Sequence, residues 1–105
     1  DLRERKAEME RRADAFVVLP GGFGTLEEAL EIITLRQLGQ TPQPIVLLNA
    51  AGYFDGLAAF FERMYADGFA REDNRGLYAI AATVEEAMAY LDGYAAPAVA
   101  AKWVR

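Results

Sequence analysis

The sequence predicts an α/β domain built on a parallel sheet. Two apolar runs, Ala15-Phe16-Val17-Val18-Leu19 and Ile45-Val46-Leu47-Leu48, contain no polar alternation, so both faces of each strand require cover. Stretches with helical spacing alternate with these runs through short links, giving the order βαβαβα. Right-handed crossovers and a parallel sheet follow from that order. A cluster of glycines, Gly21, Gly22 and Gly24, stands between the first run and the helical pattern after it. In open α/β sheets such a turn, at the carboxyl end of a strand, is where ligands bind.

The elements follow in order. Leu2 to Ala13 reads as a charged helix with Leu2, Met9 and Ala13 on one face, and Arg5 shares that face. Ala15 to Leu19 is the first strand. Thr25 to Leu38 is the second helix, and its apolar residues, among them Leu26, Leu30, Ile33 and Leu35, spread over more than one face. Gly39 caps it, and Pro42 and Pro44 prevent continuation. Pro44 to Asn49 is the second strand. A third helix runs from about Phe54 to Asp67, with Leu57, Phe60, Phe61 and Met64 as its core stripe and Gly68 as its cap. Arg71 to Gly76 reads as a polar loop and Leu77 to Ala81 as a short third strand. Thr83-Val84-Glu85-Glu86 is a capping box. The helix it opens turns Val84, Ala87, Met88 and Leu91 inward and stops at Gly93. Residues 1–93 therefore form one unit. Residues 94–105 form an alanine-rich tail whose composition fits equally a disordered segment and one packed on a partner.

Composition narrows the chemistry. The 105 residues suffice for one domain, and 53% apolar content supports a core. No apolar run is long enough to cross a membrane, and no signal peptide is visible, so a cytoplasmic location is expected. Cys, His and Ser are absent, which excludes a disulfide framework, a thiolate or serine nucleophile and the commonest metal ligand. No metal and no cofactor is expected. The net charge of −5 argues against a nucleic-acid partner, so an anionic ligand must be met by local donors.

The stretch Pro20-Gly21-Gly22-Phe23-Gly24-Thr25-Leu26-Glu27-Glu28 supplies such donors. The first N–H groups of a helix lack helical partners and carry the positive end of its dipole, and a phosphate satisfies both. This is not a Walker loop, because Gly24 is followed by Thr25 with no lysine. It is not the dinucleotide fingerprint either, because Glu27 stands where the third glycine belongs. Spacing alone leaves a second reading open. Thr25-x-x-Glu28 is itself a capping box, with Thr25 as N-cap, and the glycines then merely turn the chain. Arg5 likewise has an ordinary reading, as a snorkelling side chain or a salt bridge to Glu4 or Glu8.

The pattern Pro-Gly-Gly-x-Gly-Thr-x-x-Glu, preceded by Arg5-Lys6, resembles the LOG ("lonely guy") family of cytokinin-activating nucleotide phosphoribohydrolases, over about Leu2 to Leu91. Many of its members were long labelled lysine decarboxylases. The resemblance implies a Rossmann-like domain of which this chain is the C-terminal half, with further strands expected beside Ala15–Leu19 and that edge of the sheet left open. It implies hydrolysis of the N-glycosidic bond of a purine nucleoside 5′-monophosphate, N6-prenyl AMP being the favoured class, to free base and ribose 5-phosphate. Positive charge grows on the sugar in such a reaction and negative charge on the leaving base. Glu28 is the candidate carboxylate for the sugar. Arg5 is the candidate for the leaving base or the phosphate, and Lys6 assists with the ligand. Gly22, Gly24 and Thr25 are expected to donate to the phosphate. Phe23, Leu26, Glu27 and Thr34 line the nucleotide site by family register. Thr34 also fits an ordinary helical threonine bonding its own backbone. The resemblance further implies a homodimer, which agrees with the two-sided apolar second helix.

Two other functions stay in view. A general nucleoside 5′-monophosphate nucleosidase needs the same residues. A non-catalytic nucleotide carrier needs the glycine turn but not the Arg5 and Glu28 pair, so that pair favours an enzyme. Pyridoxal-dependent decarboxylation needs a Schiff-base lysine, and neither Lys6 nor Lys102 lies in a motif for phosphate-bound pyridoxal.

Overall fold

A computed structural model describes residues 3–5, 13–94 and 101–104. Its centre is a four-stranded, wholly parallel sheet. The strands are β1 (Ala15–Val18), β2 (Ile45–Leu48), β3 (Ala79–Ala81) and β4 (Ala101–Val104), in the spatial order β3-β2-β1-β4. Three helices connect or follow them: α1 (Phe23–Gln37), α2 (Asp55–Ala66) and α3 (Val84–Tyr94). Residues 3–5 are helical.

The unbroken apolar strands are covered on both faces, as expected. Phe16, Val18, Ile45 and Leu47 pack against Ala29 and Ile32 of α1 and against Phe54. Ala15, Val17, Val46 and Leu48 pack against Ala87 and Leu91 of α3. All eight strand residues are buried. This is an α/β architecture in keeping with a partial Rossmann-like domain. No helix among the described residues is long and apolar enough to cross a membrane.

Helix ends follow local chemistry. Gly39 at φ 73° lets Gln40 N–H reach Leu35 C=O at 2.8 Å and Gly39 N–H reach Arg36 C=O at 3.0 Å, which closes α1. Gly68 at φ 79° closes α2 in the same way, with Phe69 N–H on Met64 C=O at 2.9 Å. At the start of α3, Glu86 N–H donates to Thr83 Oγ1 at 3.1 Å, and the Glu86 carboxylate accepts Ala82 N–H at 2.9 Å.

The structure corrects several expectations. The edge of the sheet beside β1 is not open. Residues 101–104 of the tail occupy it, paired from Ala15↔Ala101 to Val18↔Val104, and Leu19 N–H donates to Val104 C=O at 2.7 Å. Main-chain groups along a buried strand must find partners, and an extended segment of this chain supplies them. Residues 72–77 form a 3₁₀-helix and not an irregular loop. There Arg75 pairs with Glu62 and Glu72 and lies 4.2 Å from the Tyr65 ring centroid. Phe60 is exposed, so the inward stripe of α2 is Leu57, Phe61 and Met64. Val84 is also exposed, and α3 passes through Gly93 to Tyr94. Most of the predicted first helix lies outside the described residues.

Candidate active site

The carboxyl ends of β1 and β2 are neighbours, because the two strands pair directly. The two loops leaving them form the walls of one cavity of about 350 Å³. From the β1 side come Gly21, Gly22, Phe23, Thr25 and Leu26, and from the β2 side Tyr53, Phe54 and Leu57.

The glycine turn has a different local structure from the capping-box reading. Helix α1 begins at Phe23, two residues earlier than the sequence suggests, and its N-cap is Gly22, with no side-chain capping bond. Leu26 N–H to Gly22 C=O, at 3.1 Å, is the first helical ring. Thr25 lies inside the first turn and is 4% exposed, so it is not the N-cap. The N–H groups of Phe23, Gly24 and Thr25 precede any helical acceptor and retain donor capacity. The turn is closely packed at this point. A Cβ placed on Gly21 would stand 2.9 Å from Thr25 Cβ, so the turn folds directly over the threonine. Gly22 and Gly24 have open space where a Cβ would be, which leaves room for a ligand to approach the main chain.

The opposite wall is built by the chain between β2 and α2. Asn49 follows β2, accepts Phe54 N–H on Oδ1 at 2.6 Å and donates Nδ2 to Asp55 Oδ1 at 2.7 Å. Ala51 at φ 53° and Gly52 at φ 71° fold the loop back on itself. The result presents Tyr53 across the cavity, where its hydroxyl donates to Gly21 C=O. Tyr53 also meets Phe54 edge-on, ring centroids 5.1 Å apart at 83°. The sequence pattern gives Asn49, Tyr53, Phe54 and Leu57 no place at the site, and Leu57 only a place in the core stripe of its helix. The available signal was an asparagine and an aromatic pair just after the second strand's carboxyl end.

The remaining predicted site residues are placed as follows. Glu28 sits half-buried on α1, one turn beyond Thr25, while Glu27 and Gly24 are exposed. Arg5 is exposed in the helical residues 3–5, and Lys6 lies outside the described residues. Thr34 is two turns further along α1. It lines a separate cavity with Leu30, Ile33 and Tyr65, and its hydroxyl donates to Leu30 C=O at 2.8 Å. That bond is the ordinary helical arrangement for a threonine. Chemically, the first cavity combines main-chain N–H donors and two hydroxyl-bearing side chains with an apolar wall of Phe23, Leu26, Phe54 and Leu57. It suits a ligand with an anionic end and an apolar or aromatic body.

Comparison with known proteins gives concordant matches. A family model described as possible lysine decarboxylase matches residues 1–91. A probable cytokinin riboside 5′-monophosphate phosphoribohydrolase of Oryza sativa subsp. japonica, LOGL1, is 48% identical over 94 residues, covering 90% of this chain and 42% of the relative. The cytokinin riboside 5′-monophosphate phosphoribohydrolase LOG of the same plant is 47% identical over 93 residues, 89% of this chain and 38% of its own. LOG4 of Arabidopsis thaliana, described by the same activity, is 45% identical over 94 residues, 90% of this chain and 44% of its own. The chain thus spans less than half the length of these relatives.

Proposed function

Because this chain belongs to the family described as possible lysine decarboxylase, whose matching members here are cytokinin riboside 5′-monophosphate phosphoribohydrolases, we propose that it forms part of an enzyme with that activity. The reaction is hydrolysis of the N-glycosidic bond of a purine nucleoside 5′-monophosphate of the N6-prenyl adenine type. The observation that carries this reading is the start of α1, where the N-cap is Gly22, which has no side chain with which to cap the helix donors. A phosphate at that point completes the N-terminus electrostatically and by hydrogen bonding.

Each residue then has a role. Gly22, Gly24 and Thr25 give donors to the phosphate, and Phe23, Leu26 and Glu27 border the nucleotide. Glu28 faces the sugar and answers its growing positive charge. Arg5, with Lys6 beside it, holds the phosphate or the leaving base. For Arg5 to meet Glu28, the helix before β1 must run antiparallel to that strand and bring Arg5 toward its carboxyl end. Thr34 is the least supported member, given its bond to its own backbone and its place on another cavity. A homodimer is part of the proposal, supported by Phe23, 93% exposed, and the outward-facing Leu30 on the same helix.

The test uses the intact protein with AMP, prenylated AMP, GMP and UMP, scored for base release. Glu28→Gln keeps the shape and removes the charge. It should lower turnover by on the order of a hundredfold while leaving nucleotide affinity nearly unchanged. With Gly22 as the N-cap, Glu28 does not stand at the third helical position that a capping box requires. Full turnover in the Gln variant refutes the assignment.

A further inference from the structure

The contact between the two walls of the cavity has a consequence for the phosphate reading. The Gly21 carbonyl and the Gly22 N–H belong to one peptide unit, which is planar and trans. Whatever fixes the carbonyl therefore fixes the plane of that peptide, from which the first turn of α1 leads off. Two groups hold that unit. Thr25, buried in the first turn of α1, packs beneath the Gly21 Cα so closely that no side chain fits there. The Tyr53 hydroxyl takes the carbonyl from the other side.

The second group is held in place by a costly device. Ala51 adopts the left-handed region, which a residue with a Cβ seldom does without local support. Gly52 follows in the same region, and a Cβ there would stand 2.6 Å from Asp55 Oδ2. Asn49 ties both ends of the loop, through Phe54 N–H and Asp55. Tyr53 is half-exposed at 54%, so burial of its ring does not explain its position. What its position achieves is the bond to Gly21.

We infer that Tyr53 is a positioning residue for the anion site, holding the Gly21 carbonyl so that the turn into α1 keeps one conformation and the Phe23, Gly24 and Thr25 N–H groups that open the helix bind a phosphate monoester without reordering it. The inference rests on the phosphate-binding part of the proposed function and not on the hydrolysis. A turn free to rotate about that peptide loses part of its binding free energy to ordering.

Tyr53→Phe deletes the hydroxyl and retains the ring, and it is made in the intact protein. Calorimetric titration with ribose 5-phosphate and with AMP should show affinity reduced roughly fivefold, the size of one lost hydrogen bond. Affinity for adenosine, which lacks the phosphate, should stay within about twofold, as should kcat for AMP at saturation, while KM rises. The melting temperature should be nearly unchanged. A purely structural role predicts instead a lower melting temperature and an equal loss for adenosine and AMP. That pattern, or wild-type affinity for ribose 5-phosphate in the variant, overturns the inference. So does a wild-type protein that binds no ribose 5-phosphate. A wild-type protein that binds ribose 5-phosphate yet releases no base from any nucleotide refutes the hydrolase reading alone, and the comparison with Tyr53→Phe still decides the role of Tyr53.

Discussion

Gly21→Ala tests the packing that sets the start of α1. The new methyl would overlap Thr25 Oγ1 and lie 2.9 Å from Thr25 Cβ and 3.3 Å from Thr25 Cγ2, where ordinary contact begins at 3.4 Å. Thr25 cannot rotate its own Cβ away, so the turn or the helix must move by about half an ångström. Gly21 does not occupy the left-handed region, so backbone conformation adds no penalty of its own. The expected cost is that of overpacking, about 1–3 kcal/mol. Urea unfolding of the single and double variants reads it. In a Thr25→Ala background the Cγ2 and Oγ1 contacts disappear but the Cβ contact remains, so the cost should fall only in part. In a Thr25→Gly background all three of the closest contacts are gone, and Gly21→Ala should cost less than about 0.5 kcal/mol. A cost below about 0.5 kcal/mol in the wild-type background, or one independent of residue 25, would refute the steric account.

Other outcomes follow from the same geometry. Gly24→Ala meets open space and lies in a helix, so it should leave stability unchanged or raise it by about 0.5–1 kcal/mol. On the phosphate-binding role proposed for Gly24 it should nevertheless weaken AMP binding, because the methyl would stand where the ligand would approach; calorimetric titration separates the two effects. Thr83→Ala removes the acceptor of Glu86 N–H at the start of α3 and should cost about 1 kcal/mol in urea unfolding. The Tyr78 phenol is pushed above its ordinary value near 10, first by burial and then by its hydrogen bond with the Tyr65 hydroxyl at 2.6 Å. Its contribution to stability is therefore complete below about pH 10 and is lost as pH rises beyond that value. Tyr78→Phe should flatten the fall in stability between about pH 10 and 12, with a residual slope from Tyr90, which burial also raises. Urea midpoints at a series of alkaline pH values check this.

The sequence by itself determined the class of fold, the order of its elements and the place of the glycine turn. Each of these rests on local rules. Apolar runs without alternation mean two covered faces, and β1 and β2 have them. Gly39 and Gly68 end helices because they accept positive φ. Local rules failed where packing, near or far along the chain, decides which groups meet. Thr25 satisfies the spacing of an N-cap, yet it lies inside the helix, closely packed against Gly21, and Gly22 is the cap. An alanine-rich tail carries no strand signal, yet residues 101–104 pair with β1 because that edge offers unpaired main-chain groups. Phe60 has the spacing of a core residue, yet no element among the described residues covers it. The second wall of the cavity was the largest omission. The value of Tyr53 lies in its bond to Gly21, thirty-two positions away in the chain, and only the parallel pairing of β1 with β2 brings the two loops together.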